Sequence, residues 1–196
     1  MAIPIVNLSN LDSINGFRLD GEGEFDGSGY SVSTAGDVNG DGFDDVIVGA
    51  RGADPNGYDS GSSYVVFGKA SGFSRTMDLS SLDGSNGFRL DGEGEFDGSG
   101  DSVSTAGDVN GDGFDDVIVS APWGESNRDF LGSSYVVFGK ESGFSATMDL
   151  SSLDGMNGFR LDGEGRYDDS GYSVSTAGDV NGDGFNDVMV GVTSAD

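Results

Sequence analysis

The sequence predicts an all-β protein built from three repeated units of four strands each, and three observations support this. The phrase FRLDGEG begins at Phe17 and recurs unchanged from Phe88 and Phe159, at a spacing of 71 residues. Segments of strand-like composition are short, evenly spaced and bounded by Gly, Asp and Ser clusters. The apolar spacing of 3.6 residues that marks an amphipathic helix is absent from the sequence. Four-stranded units that repeat in this way are typical of β-propeller blades.

The strands of the first unit are predicted in chain order near residues 16–20, 31–36, 45–50 and 62–67, and the strand at 87–91 closes the blade. The VIVGA strand is apolar at successive positions, as expected for an inner strand that packs on both faces. FRLD alternates, as an outer strand does. The MDLSSLDG segments lack the apolar run that continues a helix, so they are predicted to form at most one short turn.

The period divides a single repeat domain, residues 1–196, into four successive parts. These are an N-terminal outer strand and linker (1–29), a first blade (30–100), a second blade (101–171) and a partial third blade (172–196). The third unit lacks the counterpart of residues 55–71, which includes a whole strand. We therefore expect unpaired strand edges, and with them either a segment of a larger propeller or an oligomer that completes its blades in trans.

The composition excludes several classes of function. The 35 acidic residues against 9 Lys and Arg give a net charge of -26, which disfavours nucleic acid as a partner because phosphate binding needs clustered basic residues. The chain has no Cys and no His, so disulfides, thiol chemistry, Cys/His zinc sites and histidine bases are ruled out. The N-terminus lacks the features of a signal peptide, and no apolar stretch is long enough to insert into a membrane.

A repeated acidic loop, DVNGDGFDD at residues 37–45 in the first unit, carries oxygen side chains at loop positions 1, 3, 5 and 9. Calcium takes six to eight hard oxygen ligands, so these side chains and the carbonyl at position 7 would nearly fill its shell. The sequence thus predicts about three calcium ions, one per repeat. The predicted ligands are Asp37, Asn39, Asp41, Phe43 and Asp45; Asp108, Asn110, Asp112, Phe114 and Asp116; and Asp179, Asn181, Asp183, Phe185 and Asp187.

The glycines at positions 4 and 6 permit the positive φ angles of a tight loop, and Asp44 at position 8 is expected to face solvent. Magnesium is less favoured because it demands stricter octahedral geometry. The simplest alternative is a plain hairpin turn, since Asn-Gly and Asp-Gly are common turn dipeptides. An EF-hand fits less well, because its position 12 carries Glu whereas Val48 stands here, inside an apolar strand.

These residues resemble the FG-GAP repeat of integrin α-subunit propellers and their bacterial relatives. Gly29 to Val32 stand where the family has its FG phrase, residues 37–45 match its metal loop, and Gly49 and Ala50 begin its GAP phrase. Arg51 replaces the proline of that phrase. The resemblance implies a calcium loop between the first two strands of each blade, an extracellular or cell-surface location, and a role in adhesion or in recognition of a protein or glycan.

Other functions remain open. Catalysis by paired carboxylates is disfavoured because the acids recur identically in each unit, whereas an active site normally breaks repeat symmetry. A structural role, in which repeats assemble into a ring or fibre, is the main alternative. The GEGEFDG loop, with Glu22, Glu24 and Asp26, is either a second cation site or a solvated turn. Trp123, the only tryptophan, is either a partner anchor or packed between blades.

Overall fold

The computed structural model describes residues 7–124 and 131–194, and within them it contains strands and 3-10 turns but no α-helix. The predicted all-β fold is therefore confirmed. The strands are β1 (Arg18–Asp20), β2 (Ser31–Gly36), β3 (Asp45–Ala50), β4 (Ser62–Val66), β5 (Thr76–Asp78), β6 (Gly87–Asp91), β7 (Val103–Gly107), β8 (Asp116–Ala121), β9 (Ser133–Val137), β10 (Thr147–Asp149), β11 (Gly158–Asp162), β12 (Ser173–Gly178) and β13 (Asp187–Gly191). The 3-10 turns are Leu8–Asn10, Leu79–Ser81 and Leu150–Ser152.

Each blade is an antiparallel sheet whose strands follow one another outward. The first runs β2, β3, β4, β6, the second runs β7, β8, β9, β11, and β12 pairs with β13 in the third. The five strands predicted for the first unit all occur, with ends within two residues of the predicted ones. The β2–β3 hairpin loop and its counterparts lie at one end of the blades, and the loops that enter β2 and leave β3 lie at the other.

Two short strands were missed by the sequence prediction. β5 pairs in parallel with β1, and β10 pairs in parallel with β6, so each unit adds a three-residue strand to the outer edge of the preceding sheet. A 3-10 turn follows each of these strands, and the Asp78 side chain caps the first by accepting a hydrogen bond from the Ser80 amide at 3.0 Å. The predicted single short turn is therefore confirmed.

The core lies between successive blades because the inner strands bury both faces. On β3, Ile47 belongs to the cluster between the first and second blades, whereas Val48 belongs to the cluster on the opposite face, with Tyr64 and Leu79. On β8, Val117 and Ile118 divide in the same way. This explains the continuously apolar sequence of these strands. Among the described residues, no helix has the length and hydropathy needed to cross a bilayer.

Candidate metal loops and recognition groove

The first acidic loop joins β2 to β3 at one end of the first blade. The ladder between these strands shifts register at Gly36, so the loop begins at an irregular pair rather than at a simple two-residue turn. Gly40 and Gly42 have φ angles of +71° and +87°, the left-handed conformation that the sequence predicted for them. A plain hairpin turn therefore does not describe the loop.

Side-chain oxygens at positions 1, 3 and 5 turn toward the backbone of their own loop. The Asp37 carboxylate accepts hydrogen bonds from the amides of Asp41 at 3.0 Å and Gly42 at 2.9 Å. The Asn39 side-chain oxygen accepts from the Asp41 amide at 2.9 Å, and the Asp41 carboxylate accepts from the Phe43 amide at 3.0 Å. The three predicted side-chain ligands therefore share one small loop.

The same bonds recur in the second and third loops. Asp108 and Asp179 each accept from the amides at positions 4, 5 and 6 of their loops. Asn110 and Asn181 each accept from the position-5 amide at 2.8 Å. Amide hydrogen bonds, first that from Gly184, hold the pKa of Asp179 below its ordinary value. Three repeated sequences thus adopt one loop conformation.

Asp45, at position 9, differs from the other predicted ligands because it is fully buried. Its two carboxylate oxygens accept from the amides of Val38 at 3.0 Å and Gly68 at 2.7 Å, which ties the loop to the end of β4. Burial raises the pKa of Asp45 from its ordinary value of 3.8 to about 7, despite these two bonds. Asp116 has the same pair of bonds, at 2.9 Å each. Position 9 therefore has a structural role in the first two loops.

The donor set of each loop fits a hard divalent cation in its chemistry. All its side-chain donors are oxygens, and an oxygen that accepts one amide retains a second lone pair. Among the described residues, none of the ion pairs to Arg involves an acid at positions 1, 3, 5 or 9 of a loop. In the same part of the chain, however, no three acidic side chains meet closely enough to hold a metal as they stand. The ligand assignment therefore stays a prediction.

Position 8 corrects one detail of the sequence analysis. Asp44 is exposed, as expected. Its counterpart Asp115 is half-buried, and its carboxylate accepts a hydrogen bond from the Asp37 amide of the preceding blade at 2.8 Å. Asn186, the third counterpart, is half-buried as well, and its amide donates to the Asp108 carbonyl at 2.9 Å. The sequence of one unit does not reveal this role, because the contact joins residues of different units.

The GEGEFDG loops at the opposite end use two of their acids in structural contacts. Glu22 forms an ion pair with Arg89 at 2.9 Å, which links successive units. Asp26 accepts a hydrogen bond from the Gly23 amide at 2.9 Å and so closes the turn. These contacts support the turn interpretation over a second cation site.

A groove of about 650 Å³ lies at this same end, and exposed aromatic side chains line it. Arg51 lines it, with its guanidinium 3.8 Å from the centroid of the Tyr30 ring and 5.4 Å from that of the Trp123 ring. Arg51 also pairs with Asp101 at 2.7 Å, and the Asp101 side chain is only 7% exposed. Other lining residues are Phe25, Asp26, Gly27, Gly52, Asp59 and Phe96.

The groove is built where the repeat symmetry breaks. Tyr30 stands where the second unit has Asp101, and Arg51 stands where it has Pro122. Trp123 and the departure at Arg51 were recognised from the sequence, but the pairing of Arg51 with Asp101 was not. The available signal was that each of these two units gains one charge at a different position of the repeat, Arg51 in the first and Asp101 in the second, and that the two charges are opposite. Trp123 packs against Gly98 and is 38% exposed, and its role as a partner anchor stays a prediction.

Comparison with known proteins supports one family. The FG-GAP repeat family matches residues 28–66, 99–137 and 170–196, together more than half of the chain. The chain is similar to integrin alpha-V of Gallus gallus, with 31% identity over 99% of this chain and 17% of that protein. It is similar to integrin alpha-PS5 of Drosophila melanogaster, with 33% identity over 86% of this chain and 15% of that protein. The chain thus spans about one sixth of the length of these curated relatives.

Proposed function

Because the chain belongs to the FG-GAP repeat family, we propose that it is a calcium-binding β-propeller module that recognises a protein or glycan at the cell surface or outside the cell. Its role is binding rather than catalysis. The observation that carries the calcium assignment is the loop conformation, which occurs three times with side-chain oxygens at positions 1, 3 and 5 and without a basic partner among the described residues.

A bound cation would supply the positive charge that these loops lack. The residues proposed to hold it are those at positions 1, 3 and 5, together with the position-7 carbonyl and the position-9 carboxylate. The chain itself positions these groups by hydrogen bonds from its own amides, which reduces the number of conformations that binding must restrict. Repulsion among the acids of one loop, within a chain of net charge -26, opposes folding until that charge is neutralised.

We expect calcium to raise the midpoint of thermal unfolding strongly. Each occupied site adds about 2.7 kcal/mol when free calcium is 100 times its dissociation constant. The measurement compares melting curves in saturating calcium, in magnesium and in excess chelator. A variant with Asp41→Ala, Asp112→Ala and Asp183→Ala should lose the response to calcium. Identical curves with calcium and with chelator would contradict the proposed calcium role.

The recognition half of the proposal places the ligand in the aromatic groove. Large exposed aromatic rings with a fixed arginine are typical of binding sites, since they bury much apolar area at a small entropic cost. Trp123 lines the groove and is the only tryptophan, so its fluorescence reports on this site alone.

The test titrates a panel of neutral glycans and extracellular proteins while Trp123 emission is followed. A ligand of the groove should shift the emission, and Tyr30→Ala should weaken its binding about 10-fold or more. Tyr172→Ala is the matched control, because Tyr172 is the exposed third-unit counterpart of Tyr30 and lies outside the groove. Equal loss in both variants would place the ligand elsewhere.

A further inference from the structure

The main chain of each metal loop is held by the loop of the next blade. Asp37, the first residue of the first loop, donates its amide to the Asp115 carboxylate at 2.8 Å. The Asp37 carbonyl accepts the Asp115 amide at 3.2 Å. Both backbone groups of a predicted ligand residue are thus bound by one residue of the second loop. Asp115 is at position 8, which is outside the predicted ligand set.

Two further residues of the second blade contact the same loop. The Phe114 ring lies against Gly40 so closely that a Cβ at Gly40 would collide with it. The Lys140 amide, which follows β9 of the second blade, donates to the Val38 carbonyl at 2.9 Å. The second blade therefore contacts the first loop at positions 1, 2 and 4.

One part of this arrangement, the backbone bond to the carbonyl of the first loop residue, recurs at the second loop. The backbone amide of Asn186 donates to the Asp108 carbonyl at 2.9 Å, and the Asn186 side chain packs against Gly107. The third loop has open space at Gly182, and its first ligand, Asp179, is exposed whereas Asp37 and Asp108 are half-buried. Loops that differ at no more than one residue thus differ in how firmly their backbones are held.

We propose that the residue at position 8 is a positioning residue for calcium binding in the preceding loop: Asp115 for residues 37–45, and Asn186 for residues 108–116. This inference rests on the proposed calcium function. A loop whose backbone is already held loses less conformational freedom when it binds an ion, so it binds more tightly.

The test uses the full chain, calcium alone as the probe, and titration calorimetry. Asp115→Ala should weaken one of the three sites about 5- to 10-fold. Asp115→Asn should restore it, because the side-chain amide oxygen of Asn can still accept from the Asp37 amide. Asp44→Ala is the matched control, since Asp44 has the same loop position but is exposed, and it should leave all sites unchanged.

A double variant distinguishes a positioning role of Asp115 from direct binding of the ion by Asp115. Asp41→Ala removes the first site, and adding Asp115→Ala to it should leave the two remaining affinities unchanged. Loss at a remaining site would show that Asp115 acts within its own loop and would overturn the inference. Unchanged binding by Asp115→Ala alone would also overturn it.

A metal-free readout completes the design. In chelator, Asp115→Ala should speed hydrogen exchange of the Asp37 amide, whereas Asp115→Asn and Asp44→Ala should not. Far-ultraviolet circular dichroism checks that each variant is folded. An unchanged exchange rate in Asp115→Ala would overturn the contact itself. Failure of the unmodified chain to bind calcium would instead overturn the proposed function, and the inference with it.

Discussion

At the scale of the residue, the metal loops combine ligand chemistry with internal support. Asp45 binds two buried amides from different segments, so its carboxylate holds the loop against β4 whether or not an ion is present. Asp44, its neighbour, is exposed. Adjacent acids of one loop therefore have different consequences when they are removed, and a calcium-binding measurement alone would not separate ligation from support.

Asp45→Ala is expected to lower the free energy of unfolding in chelator by about 2–4 kcal/mol, because two buried amides lose their acceptor. Asp44→Ala should change it by less than about 0.5 kcal/mol. Urea unfolding at neutral pH in the absence of calcium measures both. Equal, small losses would indicate that Asp45 contributes only through a bound ion.

The predicted ligand positions could be found from the sequence because the oxygen side chains alternate within nine residues. The role of Asp115 could not be found in the same way, because its partner Asp37 lies 78 residues earlier. The pairing of Arg51 with Asp101 could not be predicted either, because these residues lie 50 positions apart and in different units. Local spacing reports on a single loop, whereas these contacts require two units to be side by side.

At the scale of the element, strand positions were predictable to within two residues, because apolar runs and turn residues repeat in every unit. β5 and β10 were not, because three residues are too few for a recognisable pattern and their pairing is with another unit. An aromatic contact accompanies each of these strands. Phe144 stacks on Phe88 with centroids 4.6 Å apart, and Phe73 stacks on Phe17 at 4.0 Å.

Phe144→Ala is expected to loosen β10 from β6, since the ring fixes the segment that enters β10. The amide of Arg89 donates to the Ala146 carbonyl at 2.9 Å, so its hydrogen exchange should become faster. The free energy of unfolding should fall by about 2 kcal/mol, less than for a fully buried phenylalanine. Phe73→Ala is the matched control at the other unit, and it should leave Arg89 exchange unchanged. Slow exchange at Arg89 in Phe144→Ala would show that β10 is held by its backbone pairing alone.

At the scale of the whole molecule, identical sequences occupy different environments. Residues 31–48 and 102–119 are the same letter for letter, yet Val32 is 65% exposed and Val103 is 4% exposed. Val103 packs against the first blade, and its amide donates to the Ser31 hydroxyl at 3.1 Å. Val174, the third counterpart, is 7% exposed and makes the same bond to Ser102. The burial of a residue in a repeat array thus depends on which neighbouring blade packs against it. The sequence of one unit does not determine this burial.

The matched substitutions Val103→Ala and Val32→Ala test this dependence directly. Val103→Ala should lower the free energy of unfolding by about 1.5–2 kcal/mol, because two methyl-sized groups leave a buried contact between blades. Val32→Ala removes the same atoms from the same sequence, but at an exposed position, and should change stability by less than about 0.5 kcal/mol. Denaturant unfolding of both variants, with calcium held constant, measures the difference at a fixed local sequence. Equal losses would mean that Val32 is covered in solution, either by another copy of the chain or by residues outside the described ranges. Unfolding over a range of protein concentrations would distinguish these two explanations, since only association between chains depends on concentration.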